Sequence, residues 1–137
     1  MDANQPTRAE IVIVAAGVVT LIGSFLPFWD LPLVGSTNAW GRLLFPVATL
    51  MPVFALVMAA QVAANRFAGV RFPDQVLGFT WAQVHLVLGS FAALLALCYL
   101  VADKGVMSFG FGYWIMLIGC LGLATGAVMF RRELAPR

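Results

Sequence analysis

The chain has 137 residues, 62% of them hydrophobic and only 10% charged, with eight Lys or Arg against six Asp or Glu and a formal net charge of +2. Soluble domains carry about 45 to 50% apolar and about 25% charged residues, so this composition, with a mean hydropathy of +0.96, excludes an ordinary soluble fold and points to one membrane domain. The basic residues lie mainly at the ends of apolar runs and form no patch or stripe, which argues against nucleic acid as a partner.

Four apolar runs are each long enough to cross a hydrocarbon layer of ~30 Å at ~1.5 Å per residue. The first, Ile11 to Trp29, lacks an A-x-A-like cleavage site and ends in PFWD, so it is predicted as a permanent helix and not a signal peptide. Its aromatic end, Phe25, Phe28 and Trp29 around Pro27, suits the headgroup level. Residues Asp30 to Arg42 are rich in turn formers and are predicted as a short outside loop. The second helix is predicted from about Leu43 to Ala64. Pro52 lies well inside it, freeing the Ala48 carbonyl and favouring a bend, and Ala48, Ala55, Ala59 and Ala63 should face the bundle.

Between the two halves lies Asn65 to Thr80, the only long polar interruption. Arg66 and Arg71, interleaved with Phe67, Phe72 and Phe79, predict an interfacial segment with arginines turned to lipid phosphates. Thr80 and Gln83 match a capping box and start the third helix, Trp81 to Val101. A Gly-rich turn leads to the fourth, Tyr113 to Phe130, anchored by Trp114 and closed by Arg131 and Arg132, which suit the negative end of the helix dipole. Trp29, Trp40, Arg66, Arg71, Trp81, Trp114, Arg131 and Arg132 are thus the expected interfacial, lipid-contacting residues. Four crossings gather Arg8, Arg66, Arg71, Arg131, Arg132 and Arg137 on one side, against Arg42 and Lys104 on the other, which places both termini in the cytoplasm.

No residue pattern carries a reaction. There is no acidic residue within a span to serve a proton-coupled exporter, and Glu10 reads as an interfacial residue beside Arg8. One histidine, His85, cannot supply a bis-imidazole haem, and Cys98 and Cys120 read as small packed hydrophobes. GxSxG and HExxH are absent. No catalytic, cofactor-binding or metal-binding residue is therefore predicted. Gln61 is read as reaching the headgroups, and His85 as a neutral hydrogen-bonding side chain.

The segments FLPFW before Asp30, AWGRLLFP around Trp40, and GFGYW followed by IMLIGCLGLATG resemble the small four-helix integral membrane proteins common in actinobacteria. The resemblance covers most of the chain, implies the same four-helix fold and carries no activity with it.

The predicted fold is an all-α membrane protein of four transmembrane helices arranged as two antiparallel hairpins. Small-residue stripes, His85, Gly89, Ala92 and Ala96 on the third helix and Gly119, Gly122 and Gly126 on the fourth, predict that these two helices make the tightest contact, with His85 beside Thr125. The predicted role is a non-enzymatic accessory subunit or interaction scaffold of the plasma membrane. Its partners would be membrane lipid and a larger membrane complex or a second copy of the chain. A small oligomeric transporter or lipid-binding protein is the alternative.

Overall fold

In the computed structural model, which describes residues 5–135, helix α1 (Arg8–Phe25) begins at a full capping box. The Thr7 hydroxyl accepts from the Glu10 amide, and the Glu10 carboxylate accepts from the Thr7 amide. The helix stops at Phe25 because Leu26 precedes Pro27, whose ring forces its neighbour out of helical geometry, and Leu26 is extended. Phe28 and Trp29 therefore lie beyond the helix, four residues short of its predicted end. Trp29–Leu31 form strand β1 and Gly35–Thr37 form β2.

Helix α2 (Val47–Phe67) starts later than predicted, since residues 41–46 are turns in which the Gly41 carbonyl accepts from the Leu44 and Phe45 amides. It also runs three residues further, to a stop at Gly69, whose φ of +63° is the left-handed geometry of a helix C-terminus. The Val70 amide there reaches back to the Ala64 carbonyl. Pro52 sits inside the helix and has no amide to offer the Ala48 carbonyl one turn before it. Ala48, Ala55 and Ala59 are buried, with Ala63 only partly so.

The connecting segment after α2 has secondary structure of its own. It closes a two-stranded hairpin, β3 (Gln75–Val76) and β4 (Phe79–Thr80), turned by Leu77 and Gly78, both at positive φ. Helix α3 (Trp81–Val101) then starts at the Thr80 and Gln83 capping box, over the range that the sequence predicts. Ser108–Phe109 form β5, and helix α4 spans Phe111–Leu134, longer at both ends than expected.

All four helices are long and apolar enough to cross a membrane. The chain is mostly helical but not all-α. Strand β1 is the centre of an antiparallel sheet in the order β2-β1-β5, which joins the first and last loops at the end of the bundle opposite the termini. Beneath it lies an aromatic cluster of Phe28, Trp29, Tyr99 and Tyr113 with ring centroids 5.1 to 6.0 Å apart at their edge contacts on Phe28 and Tyr99, and the Tyr113 hydroxyl donates to the Ala96 carbonyl at 2.7 Å.

The expected tightest contact, α3 against α4, is corrected. The most extensive seam is α1 against α4. A Cβ built on Gly119 would collide with the Thr20 hydroxyl and lie 2.9 Å from the Thr20 amide nitrogen, one on Gly122 would lie 2.9 Å from Ala16 Cβ, and one on Gly126 2.8 Å from Ile13 Cγ1. The glycine stripe of α4 thus faces α1, where Ile13, Ala16, Thr20 and Gly23 recur at three- and four-residue steps. Close backbone approach supplies the association that lipid tails do not drive. Gly89 does pack on α4, but against the Leu123 carbonyl, 2.9 Å from a built Cβ, and not against Gly122. Ala92 and Ala96 are buried core residues. Thr125 is exposed, its hydroxyl bonded to the Leu121 carbonyl, so the expected His85–Thr125 pairing is absent.

Candidate functional site at the termini end of the bundle

Where α1 and α3 begin and α2 and α4 end, buried polar side chains gather. Glu10 is only 4% exposed. Its place in the capping box points the carboxylate back along α1, and the extension of α2 brings Arg66 beside it. The Arg66 Nε donates to both carboxylate oxygens, at 2.9 and 2.8 Å. This placement corrects two expectations. Glu10 is buried and paired with Arg66 and is not left beside Arg8, and Arg66 is bound to a buried acid instead of facing only lipid phosphates. A second acid, Glu133 on α4, accepts from the Ala9 amide at 3.3 Å, meeting one of the donors that the first turn of α1 cannot satisfy within the helix.

Deeper in, Gln61 and His85 are 8% and 1% exposed, and Gln61 Oε1 lies 2.9 Å from His85 Nε2. With the proton on Nε2, the imidazole donates to the amide oxygen, and Nδ1 is a buried acceptor with no partner among the described residues. The ring stacks on Phe130 at 5.2 Å and meets the edge of Trp81 at 6.4 Å. Gln61 was expected at the headgroups. It is instead inside, because it sits one turn beyond Met58, on the flank of the buried Met51, Ala55, Met58 and Val62 stripe.

Above this layer lies an open cleft of about 920 Å³, within the ~300 to 1,000 Å³ usual for small-ligand sites. Glu10 and Gln61 reach its floor, Trp81 and Phe130 its sides, and Arg71 and Arg131 its rim. Trp81 is held in place by its indole, which donates to the Pro73 carbonyl at 2.8 Å. Arg71, Arg131 and Arg132 are exposed, the last outside the cleft. Arg137 lies outside the described residues.

The remaining aromatic residues expected at an interface sit at the sheet end. Trp40 and Trp114 are exposed, and Trp40 stacks on Phe25 at 5.8 Å while its indole donates to Ser24. Trp29 is only partly exposed, and its indole nitrogen is buried without a partner among the described residues, so it is a packing residue more than a headgroup anchor. Cys120 is buried, whereas Cys98 is exposed on the outside of α3, correcting its expected packed position. Among the described residues, no group of three or more His, Cys, Asp or Glu is placed to hold a metal ion.

Compared with protein-family models, with curated proteins and with solved structures, the chain matches none.

The Gln61–His85 pair gives a direct stability prediction. Gln61→Leu removes the imidazole's one hydrogen-bond partner among the described residues and should cost ~1 to 3 kcal/mol, the penalty for a stranded buried polar group. The double replacement Gln61→Leu/His85→Leu should recover much of that loss. Unfolding midpoints in mixed detergent micelles measure both, and a double variant no more stable than Gln61→Leu would contradict the pairing.

Proposed function

We propose that the protein is a non-enzymatic, multi-pass plasma-membrane protein that serves as an accessory subunit or interaction scaffold. The observation that carries this reading is the filling of the bundle interior. Small and apolar side chains close it from the sheet end to the Gln61–His85 layer, and Thr20, Ser24 and Thr49 spend their hydroxyls on backbone carbonyls. The polar cleft opens at one end and not at mid-depth, where a transporter would need its substrate site.

In this reading the helices work as two antiparallel hairpins, α1 with α2 and α3 with α4, held together chiefly across the α1–α4 seam. Helix α3 is the least buried of the four, and Val87, Phe91 and Leu94 along it are exposed. That outer face is where a transmembrane helix of a larger complex, or a second copy of the chain, would dock in place of lipid.

Both termini and the β3–β4 hairpin belong on the cytoplasmic side, from the distribution of Arg and Lys. With Cys98 and Cys120 replaced, a cysteine at Ser36 should react with an impermeant thiol reagent on intact cells and one at Gly69 should not. Labelling at Gly69 alone would invert the orientation. The scaffold reading also predicts that vesicles reconstituted with the pure chain pass ions and small solutes no faster than empty vesicles. Protein-dependent flux would favour transport.

A further inference from the structure

We propose that the termini end of the bundle holds one zwitterionic phospholipid, with its headgroup in the cleft and an acyl chain in an adjoining groove between α1 and α2. That groove, about 220 Å³, exposes only apolar surface and is walled by Ile11, Val14, Ala15, Val62 and Phe67. Glu10 and Arg66 line both the groove and the cleft, so the two spaces meet at that ion pair. A ligand that fills both must be polar at one end and hydrocarbon at the other.

The charges of the cleft select the headgroup. Its walls carry Arg66, Arg71 and Arg131 against Glu10, Asp74 and Glu133, a formal sum of zero. Glu10 is engaged by Arg66 and Glu133 by the Ala9 amide. Arg71, Arg131 and Asp74 have no ion pair among the described residues. Two arginines suit a phosphate, which guanidinium recognises with paired donors. Asp74 suits an ammonium, and Phe72 and Trp81, in edge contact at 5.4 Å, add aromatic faces that attract one. A purely anionic headgroup would leave Asp74 unanswered and set its charge against Glu133. The floor is already built, since Glu10 and Gln61 are more than nine-tenths buried and both reach it. This inference is independent of the scaffold reading and needs only insertion in a membrane.

The test is lipid retention by the full chain in micelles containing equal amounts of diacyl phosphatidylethanolamine and phosphatidylglycerol, read by native mass spectrometry. One phosphatidylethanolamine per chain should be kept, about tenfold ahead of phosphatidylglycerol. Arg71→Gln/Arg131→Gln should lower its retention about tenfold, the loss expected from two modest charge contacts together. Arg132→Gln, outside the cleft, should change nothing. Ala15→Phe should expel the lipid by filling the groove with the charges intact. Asp74→Asn, on the exposed segment and therefore harmless to folding, should erode the preference between the two lipids. Equal retention of both lipids, retention indifferent to the arginine pair and to Ala15→Phe, or displacement by soluble glycerophosphoethanolamine would each overturn the proposal.

Discussion

Replacing Gly119 with leucine should cost ~3 kcal/mol or more and is expected to be among the most damaging single changes in the bundle. At this position α4 lies against the backbone of α1. An added Cβ meets the Thr20 amide nitrogen at 2.9 Å and its Cα at 3.1 Å, and backbone cannot swing aside as a side-chain tip can. The helices must then separate, and the dispersion contacts along the most extensive seam are lost with them. Even Gly119→Ala should be costly. Gly122→Ala should cost less, because the atom met there is Ala16 Cβ and the Ala16 Cα stands 3.9 Å away. Leu121→Ala, on the exposed side of α4, sets the baseline. Unfolding midpoints by far-ultraviolet circular dichroism in mixed micelles rank the four variants. Gly119→Leu as stable as the parent would mean that α1 and α4 do not meet at this face.

The second large effect is expected at Arg66. Its removal as Arg66→Ala strands the Glu10 carboxylate, 4% exposed, without its cation and should cost ~3 kcal/mol, the low end for a broken buried pair because the Arg66 side chain is 26% exposed. Glu10→Gln should cost less, since the amide oxygen can still accept from the Thr7 amide and keep the helix cap. The double variant Glu10→Gln/Arg66→Met removes both charges and should be more stable than Arg66→Ala alone. The same unfolding measurement decides it. An Arg66→Ala variant matching Glu10→Gln would show that the pair contributes little.

The four spans were legible because length and hydropathy suffice to find them, and the start of α3 because Thr80 and Gln83 form a local pattern. The same pattern, Thr7 with Glu10, is present at α1, yet its consequence depends on Arg66, 56 residues away, and so was not visible locally. Small-residue stripes mark packing faces in the sequence. They could not say which helix each would meet, because the α4 stripe is complementary to that of α1 as well as that of α3, and chain proximity favoured the wrong partner. The β2-β1-β5 sheet was hidden for a similar reason. Its strands are two or three residues long and come from loops far apart in the chain, so no alternating run marks them. The burial of Gln61 was not legible because a glutamine four residues before Asn65, at the end of the apolar run, can equally well reach the headgroups.

If the densely filled bundle acts through what it binds at its faces and end, the mass of the native assembly shows it most directly. Extracted from its own membrane in a gentle detergent, the 14.7 kDa chain should travel in a particle of fixed stoichiometry, with a second membrane protein or with further copies of itself. A lone chain that also drives solute flux when reconstituted would contradict the account.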